Sequence, residues 1–402
     1  MAGVAEKARF YLERSVPQLR EWEDKGVFSK DEIRNIVQKR NDYEHRVLSP
    51  GNKPAEWSSY AKWEQSLEAL KSKRCKRLKI RHLNSAHAGQ GRVLAIYERS
   101  VNRHPASGEL WREYLAYTAG VKATKRWRKT MTNALRMNPT DPELWVMAGR
   151  RAARNGDMAS SRGFFMRGCR FCNKECGLWM EYARSEMEWL AKVDKRKAKP
   201  GKAAKDPLRP DRTDADDELR IEDSDAEDDD DDGDNELPVP SRAQAKAINE
   251  QESAQLRSNP AMDGAIPIAI FDISRKQPFF KADVAEAFYV MLGAFRSVSV
   301  QPKVAQHVLH VIEEQFPEDP ATCSCYIRQP ILGLSPHTAD FAANLRTVLG
   351  RLTEKLESTT DRARLAQKTI AWMDEYLALD GLDDSIRAVL KLSRERVAGD
   401  VL

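Results

Sequence analysis

The stretch ELWREYLAY, Glu109 to Tyr117, recurs 34 residues later as PELWVMAGR, Pro142 to Arg150, and again as CGLWMEYAR, Cys176 to Arg184. A Leu-Trp pair at one fixed spacing is the mark of a repeat architecture. Other positions keep the same register. Tyr97, Met131 and Phe165 are large and apolar, while Ser100, Ala134 and Gly168 are small. Pro105 and Pro139 coincide, with Asn173 in the third copy.

Each copy reads as two helices. The first carries Trp and Tyr at i and i+3, as in Trp111 with Tyr114 and Trp179 with Tyr182, which puts both rings on one helical face. The second, as in RVLAIYERSV, stops near the proline position, where a helix cannot continue. Its small residue lets the paired backbones approach closely. Trp57 with Tyr60 extends the series backwards, at one period plus about 20 residues before Trp111. The excess falls after Leu70, so the first repeat is expected to have a long insertion or extended helices. The repeat core is therefore expected at Trp57, Tyr60, Tyr97, Trp111, Tyr114, Met131, Trp145, Phe165, Trp179 and Tyr182.

Outside the array the chain is helical as well. Ala2 to Asp24 is amphipathic, with a kink expected at Pro17. Ser29-Lys30-Asp31-Glu32 fits a capping box before a helix over 33–46, and Ser49-Pro50-Gly51-Asn52 breaks it. Residues 194–260 are basic, then acidic, then Gln/Ala/Ser-rich, with too little apolar surface to offset ordering entropy, so disorder is expected. Ala265 to Phe271 reads as a short extended apolar run. Helical periodicity resumes near Ala282. Asp319-Pro320 repeats the pattern of Asp141-Pro142, with Cys323 at the Trp position and Tyr326 at its partner's. Trp372 and Tyr376 lie in a further amphipathic stretch, and Asp384 to Val397 reads as a closing helix. The expected fold is all-α: a solenoid of helical hairpins interrupted by a disordered acidic insert. Its parts are an N-terminal helical region (1–54), the repeat array (55–193), the linker (194–260) and degenerate C-terminal repeats (261–402).

The net charge of +5 conceals a division. Asp211 to Glu236 holds 16 acidic residues and two arginines, leaving +19 on the rest. A basic body favours polyanionic partners. No apolar run reaches the roughly 18–20 residues a bilayer needs, so no membrane partner is expected. The N-terminus lacks the apolar core of a signal peptide, so an intracellular setting with reduced cysteines is expected.

Chemistry-bearing clusters are few. Cys169, Cys172 and Cys176 have a spacing that could bind zinc, but a structural site needs a fourth ligand and none follows nearby. The register already explains Cys169 as an apolar core position. Cys323 stands at a core tryptophan position, with Cys325 nearby. His307 and His310 could share a metal or be ordinary helix residues. Neither a phosphate-binding loop nor a dinucleotide fingerprint is present, and no catalytic residue, metal or cofactor is expected. A zinc- or thiol-dependent enzyme is the rival reading.

The basic stretch KSKRCKRLKIRH says more. Lys71, Lys73, Arg74, Lys76, Arg77, Lys79 and Arg81 form either a solvated helix or a contact for RNA phosphates or an acidic partner. KATKRWRK, from Lys122 to Lys129, adds to this. Lys195, Arg196, Lys197 and Lys199 could be a nuclear-import signal, and Ser224, followed by acids, a target for an acid-directed kinase.

Trp57-x-x-Tyr60-x-x-x-Glu64 and Trp179-x-x-Tyr182-x-x-x-Glu186 resemble the first helix of a HAT (half-a-TPR) repeat; Ile96-Tyr97-Glu98-Arg99 with Pro105 resembles the second. Ala148 at the Tyr position, and Thr118 and Ala152 at the Glu position, make the middle repeats degenerate. The segment ARFYLERSVPQLREWEDKGVFSKDEIRNIVQKRNDYEHRV, followed by LKSKRCKRLKIR, resembles the HAT-repeat U-three small nucleolar RNA-associated family of the small-subunit processome. That resemblance covers residues 1–190 and weakens from 260 onwards. It implies a nucleolar, non-enzymatic scaffold of the UTP-B subcomplex, partnered by WD40 β-propeller proteins and other processome subunits. It places U-three snoRNA and pre-rRNA nearby, in the maturation of small-subunit rRNA. A HAT scaffold of another machine, in splicing or mRNA 3′-end processing, is the alternative; the segment before Trp57 separates the two. Direct RNA binding by the isolated chain is expected to be weak.

Overall fold

The computed structural model describes residues 2–80, 83–85, 87–197 and 260–399. Every regular element among them is helical. The class is an all-α solenoid of helical hairpins. The linker expected at 194–260 lies almost wholly outside the described residues. The chain divides into two compact units, one ending at Leu144 and the other beginning at Trp145.

The first unit holds α1 (Ala2–Glu13), α2 (Val16–Asp24), α3 (Lys30–Leu48), α4 (Pro54–Arg77), α5 (Ala88–Arg103), α6 (Gly108–Gly120), α7 (Thr124–Met137) and the start of α8 (Pro142–Arg154). The break after α1 falls at Arg14–Ser15 rather than at Pro17. Pro17 instead occupies the first turn of α2, where its missing N–H costs nothing. Ser29 closes a capping box with Glu32, each side chain accepting the other residue's backbone N–H, so α3 starts one turn earlier than residue 33. The excess before Trp111 is accommodated by α4, which runs 24 residues. Around it, Leu19, Trp22, Val27, Phe28, Ile36, Leu67 and Cys75 form one buried cluster.

The second unit continues α8 from Trp145 and adds α9 (Met158–Phe171) and α10 (Gly177–Lys197). Then follow a 3-10 turn (Pro260–Asp263), α11 (Ala265–Ser274), α12 (Ala282–Gly293), α13 (Gln301–Gln315), α14 (Pro320–Arg328), α15 (Ala339–Ser358), α16 (Arg362–Leu377) and α17 (Asp384–Gly399). The apolar run at 265–271 is thus a helix, not an extended segment. Its buried residues are Pro267, Ile270, Phe271 and Ser274, a helical period hidden in an unbroken apolar run. Short runs of this kind cannot be assigned by periodicity. Pro267 lies in the first turn, where proline is tolerated. Cys323 sits in a buried cluster with Ile327, Phe341, Leu365 and Trp372, while Tyr326 is only half-buried.

All ten repeat-core positions are buried. Two pairings link the helices of successive copies. Rings 17 residues apart stack: Tyr43 on Tyr60, Tyr97 on Tyr114, and Phe165 on Tyr182, with centroids 5.1, 5.6 and 5.2 Å apart. In the fourth register the two positions hold Met131 and Ala148, so no ring pair is available. The small second-helix position is equally specific. A Cβ on Gly168 would fall 2.8 Å from Trp145 Cγ and 2.9 Å from Leu178 Cδ2. Glycine there lets α9 seat against the tryptophan of α8.

Candidate interaction surfaces

The motif glutamates are interior acceptors. Glu64 takes two hydrogen bonds from the guanidinium of Arg40, at 2.7 and 3.0 Å, and both side chains are almost wholly buried. Glu186 takes two from Arg162, at 2.7 and 2.8 Å. Both pairs are 24 residues apart. In the registers between, Leu94 is matched with Thr118 and the exposed Arg128 with Ala152. The arginine is inward where the glutamate is present and absent or outward where it is not. Buried charge without a partner is costly, so the two positions vary together. Thr118 meets its own needs by donating toward the carbonyls of Tyr114 and Leu115.

Beside Arg40, Glu44 accepts from Arg99 at 3.0 Å and from the Tyr60 hydroxyl at 2.9 Å. Burial, reinforced by Glu44 and Glu64, pushes the Tyr60 hydroxyl far above its ordinary value, so Tyr60 remains a donor. Burial lowers the Arg92 guanidinium, with Arg40 adding to the effect. The whole network serves packing.

The basic stretch divides. Lys71 turns inward, buried against Glu68 at 2.5 Å and over the Trp22 ring. Arg74 holds Glu32 with two hydrogen bonds, donates to the Val27 carbonyl and covers the Phe28 ring. The Arg74 hydrogen bonds, helped by the Ser29 N–H, hold the Glu32 carboxyl down at about 2. These two cations fasten α4 to the N-terminal helices and offer nothing to a partner. Lys73, Lys76, Arg77 and Lys79 are exposed, and Arg81 lies outside the described residues. Cations in the last turn also suit the helix dipole.

Lys195 is exposed on the last turns of α10; the side chains of Arg196 and Lys197, with Lys199 and Ser224, lie outside the described residues. Burial pushes the Cys169 thiol up to about 12, with Cys172 adding to it, which disfavours the thiolate that metal binding or nucleophilic attack needs. Burial raises Cys323 and Cys325 as well. His307 pairs with Asp272 at 2.9 Å, while His310 is exposed beside Glu314, so the two histidines serve separate partners. Among the described residues no three His, Cys, Asp or Glu side chains are grouped to hold a metal ion. No helix among them is long and apolar enough to cross a membrane.

One cleft of about 930 Å³ lies in the second unit between α9, α10 and α11. Its wall is mainly apolar, including Met166, Ile266, Ile270 and Ile273, and among the described residues its charged members are Arg162 and Arg170. Trp179, also in the wall, keeps its indole N–H without a partner among the described residues.

Stacked helical hairpins define a helical-repeat protein. Residues 12–94 match the family described as U3 small nucleolar RNA-associated protein 6. The chain is 32% identical over 193 residues to the U3 small nucleolar RNA-associated protein 6 of Schizosaccharomyces pombe, covering 47% of this chain and 40% of that protein. It is 27% identical over 212 residues to the Homo sapiens homolog, covering 52% and 35%. For the Dictyostelium discoideum homolog the figures are 19% over 187 residues, with 46% and 31% covered. The match thus spans 40% or less of these relatives' length. Over residues 12–94 the chain is similar to this family.

Proposed function

We propose that the chain is a non-enzymatic scaffold subunit of the small-subunit processome, within its UTP-B subcomplex in the nucleolus. It would support maturation of small-subunit rRNA through protein–protein contacts. WD40 β-propeller proteins and other processome subunits are its partners, with U3 snoRNA and pre-rRNA present in the same particle. The observation that carries the reading is the match over residues 12–94 to a family named for association with U3 small nucleolar RNA. The repeat architecture supports it. Stacked hairpins present large, continuous surfaces, which suit the holding of several partners at once. The charged interior groups are consumed by packing, which supports a scaffold over a catalyst. Lys195 to Lys199 would serve nuclear import. Affinity purification of the tagged chain tests the reading. U3 RNA and small-subunit precursors should be recovered with it; recovery of spliceosomal or polyadenylation complexes instead would refute it.

A further inference from the structure

Helix α7 carries five Lys/Arg residues and no acidic one. At 100° per residue, Lys125, Arg128, Lys129, Thr132 and Arg136 fall within an arc of about 100°. A separate arc, with Trp127, Met131, Ala134 and Leu135, is buried. All four cations of the stripe are exposed, and none pairs with an acidic side chain among the described residues. Arg126, off the stripe, lies instead 3.9 Å from Glu98.

Folding does not explain this arrangement. Lys125, with Arg126, stands in the first turn, where the helix dipole disfavours positive charge, and Arg128 and Lys129 follow directly. The Ala123 cap offers no side-chain acceptor, and no acidic residue stands in the first turn. Just before it, Lys122 is held at φ 58°, a seat that Gly156 occupies one period later. Charge kept where the fold opposes it points to a partner. The stripe has no apolar residue, so it lacks the aromatic or aliphatic centre of a protein interface. It extends about 16 Å along the helix, enough to follow several phosphates of one strand.

We propose that this face of α7 binds the phosphate backbone of RNA without reading its sequence. The proposal rests on the reading that the chain works inside an RNA particle. It adds a contact surface distinct from the exposed end of α4.

The full chain should bind a fluorescent 20-nucleotide oligouridylate in anisotropy titrations, weakly and with steep dependence on KCl. Changing Lys125, Arg128, Lys129 and Arg136 together to Gln should weaken binding at least tenfold. It should flatten the log-affinity against log-salt slope by about 2–3, at roughly 0.7 per phosphate contact. The milder Lys125→Gln/Lys129→Gln pair should give about half that slope change, with the melting temperature unchanged or raised. Unchanged affinity and slope in either variant would overturn the proposal. So would a fourfold variant that lost binding to a polyglutamate peptide but kept binding to the RNA, which would assign the face to an acidic protein. Recovery of U3 RNA by the tagged wild-type chain is a separate readout. If it persists while the anisotropy effect is absent, only the α7 assignment falls.

Discussion

Glu64→Ala should destabilise the first unit by about 3–5 kcal/mol, the usual cost of leaving a buried charge unpaired. The magnitude follows from the partner's setting. Arg40 is wholly buried and gives Glu64 two hydrogen bonds at 2.7 and 3.0 Å, so truncation strands a guanidinium that water cannot reach. The chain itself shows the alternative. Leu94 and Thr118 hold the same two positions one register on, without charge. Arg40→Leu/Glu64→Thr should therefore recover most of the loss and lie within about 1–2 kcal/mol of the parent, as replaced buried pairs do. Glu186→Ala should cost less, about 1–2 kcal/mol, because its partner Arg162 is 23% exposed and can regain water. Urea unfolding followed by circular dichroism measures these values. Hydrogen exchange in α3 and α4 separates this unit's response from the rest of the chain. A cost below about 1 kcal/mol for Glu64→Ala, or a double variant no better than the single, would refute the reasoning.

Three further outcomes are expected. Trp145→Ala should cost about 3–5 kcal/mol in thermal unfolding, because the ring is buried, stacked on Phe171 and seated on Gly168; unchanged melting would contradict its core role. Lys122→Gly should raise stability by about 0.5–1 kcal/mol, since relief of the left-handed backbone exceeds glycine's added entropy; a lowered melting temperature would show that the lysine side chain holds the turn. Acid should loosen the N-terminal helices. Glu32 is held at about 2 by Arg74 and then Ser29, against an ordinary 4.5. At Glu21, burial works upward, but hydrogen bonds from Ser85, Asn84 and Lys25 outweigh it and also give about 2. Both carboxyls are depressed, so their stabilisation is full above pH 4.5 and fades as pH falls towards 2. Tryptophan fluorescence should report that loss, and Glu21→Gln/Glu32→Gln should flatten it; an unflattened profile would point to other groups.

Much of the fold is legible in the sequence because it is local. The tryptophan register, the small residue at Gly168 and the capping box at Ser29 each follow from spacing along one or two helices. The 24-residue Arg–Glu pairing and the 17-residue ring stacking are written there too, yet single-helix periodicity does not reveal them. Each joins two helices, and the first pairs, Arg40–Glu64 and Tyr43–Tyr60, begin before Trp57, the first tryptophan of the repeat series. The helix at Ala265 is illegible for the opposite reason: every position from 265 to 271 is apolar, so no face stands out there. Charge placement is the least legible. Lys71 lies on the buried face of α4 with Tyr60, Glu64 and Leu67 and meets Trp22 and Glu68, whereas Lys73 points to solvent, a division the charge run alone hides. On α7 the distinction is readable, because its apolar arc and its cationic arc do not overlap.

Cross-linking mass spectrometry on native particles purified through this chain tests the scaffold reading most directly. Lysines on several helices, including Lys73 and Lys76 of α4 and Lys125 and Lys129 of α7, should cross-link to more than one small-subunit processome protein. Recovery of the chain free of such particles, or with cross-links only to itself, would contradict the account.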